Sequence, residues 1–344
     1  MTIEAIRSVL VVIPTLNEVR TVEGVLQALR VDLPSGVDVE FVVADGGSSD
    51  GTVELVRRLA ERDAPAVRLL ANPRRVQSAA VNLAVQRHGA EADVLVRCDA
   101  HAHYPEGFVR RLLATLERTQ ADAVVVPMDS SGTGCFQKAV AWVSNTWAGT
   151  GGSAHRGGRH SGFVDHGHHA AFRMASFRRA GGYDESFTHN EDAELDCRQR
   201  SLGGKVYLDA DIRLGYQPRA TVAALARQYF AYGRGRSRTV RRHPHSMRAR
   251  QLALPVHLVV STIALALAAW WPLLLLWPLL YLAVLALTSI SIAGRERSAC
   301  GLLAGPAAAV MHVCWAAGFL AGLALVREAA WHPPAFRHSV PGNR

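Results

Sequence analysis

Three acidic clusters in this chain have residue types and spacings that could do chemistry. Asp45-Gly-Gly-Ser-Ser-Asp50-Gly-Thr52 is rich in glycine, which lets a backbone approach a ligand and adopt positive φ. Asp45 there could accept hydrogen bonds from a nucleobase or ribose, although an ordinary capped turn reads the same way. Asp99-Ala-His101 sets a carboxylate and an imidazole two positions apart. Such a pair can share one divalent cation, able to bridge a diphosphate and neutralise it as it leaves. Imidazole is softer than carboxylate, so Mn2+ would suit the pair as well as Mg2+. Taken alone, Asp99 could equally be a helix N-cap. Asn190-Glu191-Asp192 precedes a helical stretch, where a carboxylate either caps the helix or serves as general base on a hydroxyl.

The elements around these clusters decide what they can reach. Ser8–Ile13, Val39–Ala44, Val67–Leu70, Asp93–Cys98 and Ala123–Pro127 are short apolar runs that read as buried strands. Helical spacing separates them over Val19–Leu29, Gly51–Arg62, Gln77–Gln86 and residues 108–118. Regular alternation predicts an α/β domain with a mostly parallel sheet covered on both faces. Ligands of such sheets sit beyond the carboxyl ends of the strands, and Asp45 and Asp99 fall at two such ends. Residues 129–170 are rich in Gly, Ser and His and read as one irregular stretch. The alternation resumes weakly with Ala170–Arg173, helices near Ser176–Ala180 and Ala193–Leu202, and the strand Lys205–Leu208.

Composition shifts near Arg250. Leu252–Trp271, Leu273–Ile292 and Gly301–Val326 are apolar and about long enough to cross a bilayer. An amphipathic stretch over 221–236 leads towards them. The formal net charge is +9, and Arg234, Arg236, Arg238, Arg241, Arg242, Arg248 and Arg250 form one basic run before the apolar segments. That placement predicts a positive-inside flank on anionic lipid rather than a nucleic-acid surface. The expected organisation is a cytoplasmic domain over 1–250, a transmembrane region over 251–330 with about three spans, and a tail over 331–344. Counting three spans from a cytoplasmic basic run places the tail from Arg327 outside. No signal peptide is read at the start of the chain, so the domain is expected at the inner face of the plasma membrane. The cysteines Cys98, Cys135, Cys197, Cys300 and Cys314 form no close pair and are expected to be reduced.

Taken together the motifs are specific. Ile13-Pro-Thr-Leu-Asn-Glu18, the Asp45 cluster, Asp99-x-His101, Gly181-Gly-Tyr-Asp-Glu185 and Glu191-Asp192 occur in the order found in family 2 glycosyltransferases of the GT-A fold, which the chain resembles over about residues 8–250. Cys98-Asp-Ala-His-Ala102, Asn190-Glu-Asp-Ala-Glu194 and Gln228-Tyr-Phe-Ala-Tyr-Gly233 resemble membrane-associated members that extend lipid-linked exopolysaccharide units from a UDP-sugar. The resemblance implies that Pro14, Thr15, Glu18 and Asp45 line the uridine site. It implies that Asp99, with His101, holds a divalent metal near the ribose and diphosphate, and that Asp192 is the catalytic base. His101 stands where many members carry a second Asp, and Gly46 stands where Asp is frequent. His155, His160, His166, His168 and His169 match no common zinc spacing and read as part of an acceptor loop. Asp165, Arg173 and Glu191 are the candidate acceptor contacts. The implied partners are a UDP-sugar, a lipid-linked saccharide and membrane lipids, with no nucleic acid.

Two other classes fit less well. An oxidoreductase would carry Gly-x-Gly-x-x-Gly after the first strand, where Pro14-Thr-Leu-Asn17 stands instead. A non-catalytic membrane scaffold has no need of Asp45, Asp99 and Asp192. The Q-x-x-R-W motif of processive synthases is missing from the region of Gln228-Tyr-Phe-Ala-Tyr232.

Overall fold

The computed structural model describes residues 5–62, 67–151, 159–328, 331–333 and 336. The chain runs β1 (Ser8–Thr15), α1 (Val22–Arg30), β2 (Asp38–Asp45), α2 (Thr52–Arg62), β3 (Val67–Ala71), α3 (Gln77–His88), β4 (Val94–Arg97), α4 (Phe108–Thr119) and β5 (Ala123–Val126). It continues through β6 (Met128–Ser130), α5 (Cys135–Ser144), α6 (Trp147–Thr150), β7 (Gly162–Val164), β8 (His168–Arg173), α7 (Met174–Arg179), α8 (Glu191–Ser201), β9 (Val206–Leu208) and β10 (Leu214–Tyr216). Four long helices follow: α9 (Val222–Arg242), α10 (Ala249–Leu267), α11 (Leu276–Arg295) and α12 (Ala304–Leu325).

These elements form two compact units. The first comprises Met1–Met128, Gly158–Gly215 and Ala330–Arg344. Its sheet has the order β3-β2-β1-β4-β8-β5-β9-β7. β1 pairs in parallel with both β2 and β4, and β2 with β3, as the alternating pattern requires. β8 departs from that pattern and runs antiparallel between β4 and β5. One side of the sheet buries Leu10, Val12, Leu95, Val125 and Phe172 against Phe177, Tyr183 and Leu195. Burial of such side chains is worth about 1.5–3 kcal/mol each and makes this layer the rigid base of the site.

The second unit comprises Asp129–Gly157 and Tyr216–Ala329. Part of the stretch read as irregular is the helix α5, whose Val140 and Val143 pack with Leu285, Ala307, Ala308 and Met311. Its apolar residues Phe136, Val140 and Val143 follow helical spacing over only ten residues, and the Gly-rich sequence on either side hides it. The unit also corrects the expectation of reduced thiols. Cys135 and Cys300 form a disulfide across 165 residues, while Cys98, Cys197 and Cys314 are free. Local spacing carries no trace of so distant a pairing.

Candidate active site

The first wall of the site is a pair of interlocked loops. The parallel register of β1 and β2 sets Pro14 beside Ala44 and Thr15 beside Asp45. Asp45 Oδ1 accepts from the Gly47 and Ser48 amides, both at 2.8 Å, and Oδ2 accepts from Thr15 Oγ1 at 3.1 Å and Ser48 Oγ at 2.5 Å. A carboxylate has about four acceptor positions. The turn and Thr15 supply four donors, which fix the Asp45 carboxylate at the rim of the site. Gly47 sits at φ 86, a conformation open to glycine, which explains that residue in the motif. The Asn17 amide donates to Ser48 Oγ (2.8 Å), and Asn17 Oδ1 accepts from the Ser49 amide (2.9 Å). The amides of Glu18 and Val19 donate to Thr52 Oγ1 and Asp50 Oδ2.

The second wall follows β4. β1 and β4 are neighbours whose following segments diverge, the arrangement that opens a crevice at the sheet's carboxyl edge. Glu18 and His101 meet across it, with Nδ1 2.8 Å from Oε1. Burial alone would raise the Glu18 carboxyl. Hydrogen bonds from His101 and from Thr21 outweigh it and hold Glu18 below its ordinary value.

Between these walls lies a buried charge cluster. Arg97, the last residue of β4, donates from NH1 to both oxygens of Asp192 at 2.9 Å and from NH2 to Asp99 Oδ1 at 3.2 Å. Tyr183 Oη donates to Asp192 Oδ1 at 2.8 Å, and Gln77 Nε2 donates to Asp99 Oδ1 at 2.7 Å. His168 stands between the same carboxylates, 3.6 Å from Asp99 Oδ2 and 3.8 Å from Asp192 Oδ2. Burial would raise Asp99, but Arg97, His168 and His101 bring it below its ordinary value. Burial first, then the charge of Asp192, holds the Tyr183 phenol well above its usual range, so it remains a donor. Burial, reinforced by Asp192, pushes Glu191 up to about 7.

Neither Asp99 nor Asp192 occupies an N-cap position. α4 begins at Phe108, far from Asp99 in sequence, so Asp99 caps no helix there. Asn190, at φ 69, holds the N-cap position of α8, and Glu191 and Asp192 lie in its first turn. Asn190 Oδ1 is buried with no hydrogen-bond partner, an acceptor beside the two carboxylates.

Not every expected residue gathers here. Arg173 is excluded by the direction of β8. In an antiparallel strand Val96 faces Ala171 and Val94 faces Arg173, so His168 lies towards the carboxyl rim of β4 and Arg173 towards its amino end. There Arg173 donates to the Ala121 and Leu116 carbonyls and is a structural residue. Asp165 pairs with Arg200 at 3.0 Å, at an exposed position on α8. His166 is held by Asp196 at 3.0 Å. His160 is exposed, and His155 lies outside the described residues. Arg97, Tyr183 and Gln77 were not singled out from the sequence. A charged residue inside the apolar run Val94–Cys98 was the available signal for Arg97, since a buried cation demands anionic partners.

Among the described residues no three His, Cys, Asp or Glu side chains converge as a ready-made metal cage. An ion carried with a nucleotide needs less: one or two protein carboxylates, the rest of its shell coming from phosphate and water. Asp99 and His101 on one rim fit that smaller requirement.

A mostly parallel α/β sheet with acidic residues along its carboxyl edge is a GT-A-like fold. The chain belongs to glycosyl transferase family 2. That family's model matches residues 10–181. The chain is 43% identical over 315 residues to succinoglycan biosynthesis protein ExoA of Rhizobium meliloti (strain 1021), covering 91% of this chain and 94% of that protein. Its fold is similar to that of the mannosyltransferase PcManGT from Pyrobaculum calidifontis, solved with GDP-Man and Mn2+. The TM-score is 0.56 with 21% identity, covering 89% of this chain and 86% of the other. GalNAc-T7, solved with UDP, GalNAc and Mn2+, matches with a TM-score of 0.51 and 16% identity, over 69% of this chain and 48% of that one.

Two predictions follow from the cluster. Arg97→Lys keeps the charge but loses the fork that reaches two carboxylates, so transfer should fall at least about tenfold with the chain still folded, whereas Arg97→Ala should destabilise by about 3–5 kcal/mol. Thermal unfolding beside a transfer assay reads both, and wild-type kinetics in Arg97→Lys would remove Arg97 from the site. Glu191 holds its proton more tightly folded than unfolded, about 7 against 4.5. Its contribution to stability is therefore full below about 4.5 and is lost as pH rises through about 7. Melting curves of Glu191→Gln should show a shallower loss between these pH values than wild type; equal slopes would contradict the raised carboxyl of Glu191.

Proposed function

We propose that this enzyme transfers a sugar from a UDP-sugar to a lipid-linked saccharide at the cytoplasmic face of the membrane, with inversion at the anomeric carbon, in exopolysaccharide synthesis. The observation that carries the reading is Arg97, which ties Asp99 on the donor side to Asp192. The likeness to succinoglycan biosynthesis protein ExoA supports the acceptor class, and GalNAc-T7 with bound UDP shows that a related fold accepts a uridine nucleotide.

In this reading Pro14, Thr15 and Glu18 border the uridine site, and Asp45 fixes their loop. Asp99 and His101 would hold a divalent ion, which when bound offsets the charge of the departing diphosphate. Asp192 takes the proton from an acceptor hydroxyl while that oxygen bonds to the anomeric carbon. The bond from that carbon to the diphosphate breaks, and UDP leaves with the electron pair. One displacement inverts configuration, so an α-linked donor yields a β-glycoside. Glu191 borders the acceptor. A second reading makes Glu191 the base, favoured by its carboxyl being pushed up to about 7, close to a working pH. Asp165 remains a candidate acceptor contact on the exposed side of α8.

Asp192→Asn separates these readings. The N-cap is Asn190, so the change costs no cap, yet the amide cannot take a proton. Transfer should fall roughly 10²–10⁴-fold with UDP-sugar affinity and melting temperature little changed. Wild-type turnover in Asp192→Asn together with loss in Glu191→Gln would move the base to Glu191. For the donor side, EDTA should abolish transfer, Mn2+ or Mg2+ should restore it, and Asp99→Asn should not be rescued. Full activity in EDTA would remove the metal from this scheme.

A further inference from the structure

Among the described residues three helices are long and apolar enough to cross a bilayer: Ala249–Leu267, Pro272–Arg295 and Ala299–Leu325. They differ in what surrounds them. We propose that α12 is not a membrane span: α10 and α11 meet the lipid as a pair, and the chain beyond α12 lies on the same side of the membrane as the catalytic unit. The inference rests on the membrane attachment proposed above.

The first observation is what encloses α12. α10 and α11 leave large apolar side chains exposed, among them Val256, Ile263, Leu276, Leu280, Leu287 and Ile290. α12 leaves Val313, Leu323 and Leu325 exposed, but it buries Ala304, Ala307, Ala308 and Met311 with Val140 and Val143 of α5 and Leu285 and Ile292 of α11. Its second half runs against α9 with the two backbones nearly touching. A Cβ added at Gly233 would lie 2.0 Å from the Trp315 carbonyl oxygen, one at Gly318 2.0 Å from that of Phe230, and one at Gly322 2.1 Å from Ser237 Oγ. Phe230 meets Gly318, Ser237 meets Gly322 and Arg241 donates to the Val326 carbonyl, contacts that rise together along both helices, so α9 and α12 are parallel. α9 carries Arg227, Arg234, Arg236, Arg238, Arg241 and Arg242. A helix so charged does not enter hydrocarbon, and the helix fused to its side stays out with it.

The second observation joins the two flanks of the apolar region. Glu328, just past α12, accepts from Arg238 Nε at 2.7 Å, Arg241 NH2 at 3.2 Å and Arg242 Nε at 2.8 Å. Burial would raise Glu328, but these arginines hold it below its ordinary value. The arginines precede α10. An odd number of crossings would part them from Glu328 by a bilayer core of about 30 Å. The third observation is where the tail goes. The Arg198 guanidinium lies 4.0 Å from the Trp331 ring centroid, and Phe336 and Phe177 have centroids 6.0 Å apart. Trp331 and Pro333 lie against Gly181, and Phe336 against Gly182, all inside the first unit. The chain thus leaves the catalytic unit before α9 and re-enters it after α12. Only an even number of crossings allows that, and α12 is the helix to set aside. The outward tail expected from counting three spans is replaced by one that packs beside Tyr183, a donor to Asp192.

The test uses the full chain in a bacterial host. Membranes are first washed with alkaline carbonate; release of the chain there would overturn the membrane reading itself. Green fluorescent protein is then fused to each end in turn, since it fluoresces only in the cytoplasm. Both fusions should be bright. A bright amino-terminal and dark carboxy-terminal fusion, in chains retained by the membrane, would overturn the inference alone. Because a fusion can disturb the tail, untagged Asn343→Cys is also treated with an impermeant maleimide in spheroplasts. Labelling above wild type should appear only after the membrane is opened; labelling of closed spheroplasts would overturn the inference.

Discussion

The site depends on one buried guanidinium. Arg97 ends a strand whose other residues, Val94, Leu95 and Val96, are wholly buried. Alternation along a strand puts Arg97 on the same face as Leu95, the face packed on Phe177, Tyr183 and Leu195. A cation there is tolerable only with anionic partners in good geometry. Asp99 is available two residues on in the same chain segment. Asp192 is not local, and bringing it to Arg97 requires α8 to begin at this one place on the sheet. The guanidinium therefore fixes the spacing between the residue proposed to face the donor diphosphate and the residue proposed to face the acceptor. Tyr183 reinforces the docking from the loop before α8, with its ring in the core and its hydroxyl on Asp192.

The loops after β1 and β2 obey a different logic, that of backbone shape. Asp45, Asn17 and Asp50 spend their oxygens on neighbouring amides and hydroxyls. Polar side chains used in this way hold a loop without secondary structure of its own, so the rim is formed before any ligand arrives. Such preformed loops spare the entropy of ordering on binding.

Much of the first unit was legible in the sequence, because parallel strands buried on both faces must be continuous apolar runs and helices must fall between them. β1 to β5 and the placement of Asp45 and Asp99 at one rim follow from that rule alone. β8 does not. His168–Arg173 reads as a strand, but nothing local says that it enters between β4 and β5 in the opposite direction, and that reversal sends Arg173 to the far rim and His168 to the near one. Direction is a tertiary property, set by the length of chain between β5 and β8. The Cys135–Cys300 pair escaped because its members are far apart in sequence, and α5 because its helical spacing is short and flanked by Gly-rich sequence. The apolar helices show the converse case. Length and composition mark α10, α11 and α12 alike, and only their neighbours distinguish them.

The two adjacent carboxylates at the start of α8 remain to be given separate tasks. Two negative charges on neighbouring residues in a buried site repel, and one of them keeps its proton more cheaply than both lose theirs. Arg97 addresses both oxygens of Asp192, so the charge settles where it has a fixed, charge-assisted partner. Glu191, pushed up to about 7, is the member that retains a proton near neutrality. Environments that drive paired acids apart commonly mark the division between an anion that accepts a proton and a neutral acid that donates a hydrogen bond. On that division the proposed base, Asp192, is the anion, and Glu191, while protonated, is the neutral partner that could donate to an acceptor oxygen without competing for its proton.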